Sequence, residues 1–106
     1  SAKHWVDFDL FGHQFVAHLS PTATPRITNP VDGDEVPVPH LGVLLSPADW
    51  QALASRLREA GTIFVIEPHT RFAGEAGEQS TMFLLDPSGN ALEFKAFADD
   101  SQVFAR

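Results

Sequence analysis

The strongest constraint on this chain is a change of period between residues 38 and 97, where strand-type alternation brackets one helix-type segment. Ser46-Pro47-Ala48-Asp49 opens the helix. Ser46 is the N-cap, Pro47 suits the first helical position, and Asp49 can return a capping-box bond. Trp50, Leu53, Ala54 and Leu57 then recur at i, i+3, i+4 and i+7 as one apolar stripe. Gly61 ends the helix in the left-handed conformation that glycine adopts cheaply. Before the helix, Val38 to Leu45 reads as a short buried strand. After it come three more: Ile63 to Ile66 with an extension past Pro68 toward Phe72, Ser80 to Leu85, and Ala91 to Phe97. Between the last two, Asp86-Pro87-Ser88-Gly89-Asn90 is a turn, with Pro87 preset for position i+1 and Gly89 free to take positive φ. The segment is therefore a βαβββ unit.

The start of the chain reads as a hairpin from Trp5 to Leu19. Val6, Phe8 and Leu10 alternate with Asp7 and Asp9, and Phe11-Gly12-His13 makes the turn. On the returning strand, Phe15, Ala17 and Leu19 share one face and Gln14, Val16 and His18 the other. Residues 20–37 hold Pro21, Pro25, Pro30 and Pro37, which lack a ladder donor. They are expected to form an irregular connector, either a plain surface linker or a loop over a cavity mouth. Asp99 to Arg106 reads as a loose tail. Gly12-His13-Gln14-Phe15 and Gly89-Asn90-Ala91-Leu92 are comparable Gly-containing turns before a final strand, a faint sign of two related halves.

Composition narrows the function classes. With 106 residues the chain is one domain. Its formal charge of −7 argues against nucleic acid or an anionic membrane as the main partner. Cysteine is absent, which excludes disulfides and thiolate metal sites and fits a cytoplasmic protein. No apolar stretch approaches the roughly 20 residues needed to cross a bilayer, and no signal peptide is visible at the start. No phosphate-binding glycine loop precedes a helix, and no serine has the setting of a nucleophile elbow.

The chemistry-bearing residues are His40, at the opening of the strand before the helix, and Glu93, on the last strand. A neutral imidazole and an ionised carboxylate facing one cavity make half of a divalent metal site with open positions. The plain alternatives are a structural histidine at a strand start and a glutamate on the outer face of a sheet.

Pro39-His40-Leu41-Gly42-Val43, the helix, the three-stranded meander and Asp86-Pro87-Ser88-Gly89-Asn90-Ala91-Leu92-Glu93-Phe94 together resemble the glyoxalase/bleomycin-resistance/extradiol-dioxygenase group, the vicinal oxygen chelate superfamily. The resemblance spans Trp5 to Phe97. Phe11-Gly12-His13-Gln14 and Arg71-Phe72-Ala73-Gly74-Glu75 are similar to a dioxygenase-like subgroup. It implies an α+β fold in which βαβββ modules form a curved mixed sheet, a cup around a metal. Residues 5–19 would be a partial first module, 20–37 the linker and 38–98 the second module. The first strand and helix of module one, about 30 residues at ordinary element lengths, are not found before the first hairpin. Either the chain is truncated there or another subunit fills the gap, and the unpaired edge invites a homodimer with exchanged elements.

The resemblance further implies His40 and Glu93 as metal ligands, with His18 facing the site from the end of module one; strand parity favours His18 over His13. Arg71, His69 and Gln14 are the candidate substrate-binding residues; the first two would line the cup and bind an acidic or phenolic oxygen, or else lie exposed at the surface. The metal would be Fe(II) by preference, with Mn, Ni or Zn as alternatives. The protein would act on a small vicinal-oxygen substrate as an extradiol-dioxygenase-like enzyme. The other reading is a metal-free module that sequesters an antibiotic-type small molecule, or an inactive remnant.

Overall fold

The computed structural model describes residues 4–21, 27–99 and 101. Among these residues nine elements follow one another: β1 (Trp5–Leu10), β2 (His13–His18), β3 (Ile27–Val31), β4 (Asp34–Val38), β5 (Leu41–Leu44), α1 (Pro47–Glu59), β6 (Phe64–Arg71), β7 (Gln79–Leu85) and β8 (Ala91–Phe97). The last four strands form one sheet of order β5-β8-β7-β6. Helix α1 carries the chain from the β5 edge to the β6 edge. The antiparallel meander then returns, bringing β8 alongside β5 in parallel.

The helix begins and ends as its sequence dictates. The Ser46 hydroxyl accepts the Asp49 N–H at 3.1 Å, and Gly61, just past the last turn, has φ 76°. Its stripe packs on one face of the sheet, where Trp50, Leu53 and Ala54 meet Leu45, Met82, Phe94 and Ala96, with Leu57 half-buried beside them. The Trp50 indole N–H donates to the Phe94 carbonyl at 2.9 Å, so its one polar atom is satisfied inside the core. Each large apolar side chain buried here contributes about 1.5–3 kcal/mol.

Side chains alternate across β7 and β8, and the opposite face is of different composition. Thr81, Phe83 and Glu93, all buried, point away from the helix. Glu93 lies opposite Phe83 on β7 and Gly42 on β5. This is the cup face, and it is covered unevenly. Over β6 and β7 it is closed by the β3–β4 hairpin, where Val36 packs with Ile66 and Phe83. Over β5 it is open: Gly42 has no side chain and Leu44, opposite Lys95, is 53% exposed.

Two expectations are corrected. Residues 27–38 are a regular hairpin, not an irregular connector. Asp32 and Gly33 both take positive φ, 45° and 85°, a two-residue reversal that matches strand twist. A two-stranded ribbon is all edge, so Pro30 and Pro37 can be placed where no ladder donor is required. Second, Val38 to Leu45 is not one buried strand. The chain breaks after β4 at Pro39-His40, and β5 is a short, largely exposed edge. The connector within residues 22–26 and most of the tail beyond Asp99 lie outside the described residues.

The N-terminal hairpin forms as read. Val6 pairs with Ala17 and Phe8 with Phe15, around a turn in which Phe11 and Gly12 have φ 53° and 84°. Its turn end reaches the helix-face core. Leu10 packs there, and the Phe11 ring lies 6.3 Å from that of Phe94.

Candidate functional site

Glu93 and His40 converge. Register places Glu93 on the cup face of β8, and the break after β4 delivers His40 immediately before β5. His40 Nε2 is 3.3 Å from Glu93 Oε1. The imidazole stands edge-on to the Phe83 ring, centroids 5.0 Å apart, and is oriented through its other nitrogen, where Nδ1 lies 2.9 Å from the Pro37 carbonyl oxygen.

That second contact decides what Nε2 presents. A carbonyl only accepts, so Nδ1 carries the proton and donates it to Pro37. In the neutral ring Nε2 then offers a lone pair, and an ionised Glu93 oxygen offers another. Two acceptors 3.3 Å apart require a positive centre, either a proton on Nε2 or a cation bound by both. A histidine tied through one nitrogen to a backbone carbonyl is a recurrent arrangement for a metal-ligating ring. Room exists as well: a Cβ placed on Gly42 would lie 3.6 Å from Glu93 Oε1, so the missing side chain leaves the flank of that oxygen open. The pair therefore fits two ligands of a divalent metal.

The second Glu93 oxygen is occupied. The Thr81 hydroxyl donates to Oε2 at 2.5 Å in a fully buried contact, and Lys95 Nζ lies 3.5 Å from the same oxygen. Neither Thr81 nor Lys95 is visible as functional from sequence, because a threonine in a strand is unremarkable. The available signal is parity: Lys95 lies two residues beyond Glu93 on β8, and Thr81 pairs opposite Lys95.

The other sequence candidates lie elsewhere. His18 is exposed at the open end of the N-terminal hairpin, paired with Trp5, whose ring centroid is 6.0 Å away. Among the described residues no third His, Asp or Glu joins His40 and Glu93 in a metal-holding group. The expected parity of β2 is present, with Phe15 and Ala17 half-buried and Gln14, Val16 and His18 exposed. Among the described residues, however, the hairpin pairs only with itself and touches the helix-side core rather than the cup. Gln14 donates to Asp7 at 3.1 Å within that hairpin.

His69 and Arg71 are on β6, and both are engaged by the β3–β4 hairpin. Asp34 Oδ2 is 2.8 Å from His69 Nε2 and 3.2 Å from Arg71 Nη2. Arg71 is buried rather than at the surface: it is 3% exposed, its Nη1 donates to the Val31 carbonyl at 3.3 Å, and its guanidinium carbon lies 5.9 Å from the centre of Phe83. A cleft of about 410 Å³ beside Asp34 is lined by Glu35, Glu67 and His69 and includes neither His40 nor Glu93.

The Asp86–Asn90 turn sets where β8 begins. Asp86 Oδ1 accepts the Ser88 and Asn90 N–H groups at 2.9 and 2.8 Å, and Oδ2 accepts the Asn90 side-chain amide at 2.8 Å. Burial pushes the Asp86 carboxyl up. The bonds from the Asn90 side chain and from the backbone of Asn90, Ser88 and Gly89 outweigh it and hold the group below its ordinary value.

Comparisons with known proteins agree with this architecture. Residues 8–94 match the family model of the Glyoxalase/Bleomycin resistance protein/Dioxygenase superfamily. The crystal structure of a glyoxalase/bleomycin resistance protein/dioxygenase from Alicyclobacillus acidocaldarius is similar, with a TM-score of 0.79 and 29% identity over 98% of this chain and 74% of that one. No curated protein matches significantly. With its β5-β8-β7-β6 sheet, its Asp-Pro-Ser-Gly-Asn turn and a family match over most of its length, the chain belongs to the glyoxalase/bleomycin resistance protein/dioxygenase superfamily.

Proposed function

We propose that the protein is a metal-dependent, extradiol-dioxygenase-like member of its superfamily, acting on a small substrate with two adjacent oxygens. The observation that carries this reading is the approach of His40 Nε2 to Glu93 Oε1, 3.3 Å, with His40 Nδ1 committed to the Pro37 carbonyl. His40 and Glu93 would hold the metal, Fe(II) by preference and Mn, Ni or Zn as alternatives. When bound, it would supply a Lewis-acid centre with open positions for vicinal oxygens. The chain's own groups prepare the site. Pro37 sets the tautomer and angle of His40. Phe83 walls the imidazole on one side and keeps water from that edge. Thr81 holds Glu93 through Oε2 and leaves Oε1 to face His40. Arg71 and His69 border the closed half of the cup, where both are engaged by Asp34.

The test is calorimetric titration of metal-free protein with Mn(II). Stoichiometric uptake is expected in the wild type. It should be lost in His40→Ala and Glu93→Ala with both variants still folded by circular dichroism. Undiminished uptake in both variants would remove the assignment.

A second reading, a metal-free module that binds an antibiotic-type small molecule, is favoured by one observation: only two candidate ligands converge among the described residues. It predicts no Mn(II) uptake together with binding of a planar drug. We also propose a homodimer formed with exchanged elements, in which His18 on the N-terminal hairpin reaches the site of a second copy.

A further inference from the structure

We infer, resting on the metal site just proposed, that Lys95 recognises an anionic substituent, so that the substrate is a vicinal-oxygen compound that also carries a carboxylate. Lys95 shares the cup face with Glu93, two residues along β8, and its side chain is 25% exposed, enough to be reached from the open half of the cup. Its neighbours on β5 are Gly42, which has no side chain, and Leu44, which is half in solvent. The ammonium lies 3.5 Å from Glu93 Oε2. That oxygen already accepts the much shorter bond from Thr81 at 2.5 Å. Glu93 is thus held without Lys95, and the lysine makes an ion pair too long to use its donors well. Its Nζ also lies 5.9 Å from the centre of the Phe97 ring, which keeps the ammonium over the face of the sheet.

The other cations near the cup are spent. Arg71 and His69 are both engaged by Asp34, and Arg71 is sealed from solvent. In a chain of formal charge −7, a lysine at this mouth is not the by-product of a basic surface. A carboxylate placed beside the chelating oxygens would meet three rotatable N–H donors in a partly desolvated setting, where a charge-assisted bond is strong.

The experiment uses Mn(II)-loaded protein and two probes, catechol and 3,4-dihydroxybenzoate, measured by titration calorimetry. The wild type should bind the carboxylated probe at least about tenfold more tightly, the effect of one charge-assisted hydrogen bond. Lys95→Met should abolish that preference, and Lys95→Arg should keep it. Equal affinity of the two probes in the wild type would overturn the inference. So would a preference surviving in Lys95→Met, or a parallel loss of both probes, which would mark Lys95 as support for Glu93 alone. Lys95→Gln replaces Lys95→Met if the latter fails to fold. Mn(II) is titrated first without probe. Failure of the wild type to take it up removes the metal site itself, and the role of Lys95 falls with it.

Discussion

Glu93 has two oxygens with different tasks, and the difference comes from strand parity. Oε2 is fastened by Thr81, while Oε1 looks across Gly42 to His40. Replacing Thr81 with valine keeps the shape and removes the donor. Affinity at the proposed metal site should then fall about 10–100-fold, as when other outer-shell partners are lost, and Thr81→Ser should restore most of it; Mn(II) calorimetry reads both. Asp86 carries the other prediction at this scale. Its folded carboxyl titrates below its ordinary value, so the charged form stabilises the fold above the unfolded value of about 4, and this contribution is lost as pH falls through the folded value. Asp86→Asn should therefore be less stable than wild type near pH 7, with the gap narrowing below about pH 4, in urea melts taken across that range. A gap independent of pH would show that the turn does not depend on the charge. His40, Glu93 and the Asp86 turn were all readable as a motif. Thr81 was not, because its hydroxyl matters only through the atom it meets.

The β3–β4 hairpin is the element that local reading missed. Four prolines between residues 20 and 37 argue against a strand only if the strand lies inside a larger sheet. In a free ribbon their missing donors cost little. Asp32-Gly33 was the available hairpin signal, with Val31 before it and Val36 beyond it. The hairpin is fastened over half the cup by Asp34, with His69 and Arg71 beneath it. The fastening is not fully satisfied: Arg71 Nε and Nη2 are buried without a hydrogen bond. Asp34→Ala would leave the guanidinium buried without its counter-charge and should cost about 2 kcal/mol. The double variant Asp34→Ala/Arg71→Leu should recover more than half of that in chemical denaturation. The helix is the opposite case. Its cap, stripe and terminal glycine are local signals, and Ser46, Trp50, Leu53, Ala54 and Gly61 do what their spacing required.

At the scale of the molecule the chain is more extended than its length requires. Its radius of gyration is 14.8 Å, against about 13 Å for a compact domain of this size, and the long axis is 47 Å. The N-terminal hairpin accounts for its open face: Trp5, Val6, Phe8 and Val16 are each exposed by 38–49% on a ribbon whose edges pair with nothing else among the described residues. Apolar surface beside free strand edges favours association with another chain. Light scattering coupled to size exclusion should give twice the 11.6 kDa of one chain. Phe8→Lys should shift the population to monomer. A wild type that runs as a monomer at every concentration would remove the dimer. Among the described residues no helix is long and apolar enough to cross a membrane.

What near neighbours govern was determined by the sequence alone: the helix and its caps, the Asp86–Asn90 turn, and the alternation of β2, β7 and β8, each set by spacing within a few residues; His40 and Glu93, far apart in the chain, were legible only as candidates through the motifs around them. Only the tertiary structure decided which oxygen of Glu93 is free, that Arg71 is buried under Asp34, that residues 27–38 cap one half of the cup, and that His18 stands apart from the His40–Glu93 pair. Those outcomes depend on which strands become neighbours. Strand pairing is set by packing summed over the whole sheet, and no short stretch of sequence carries it.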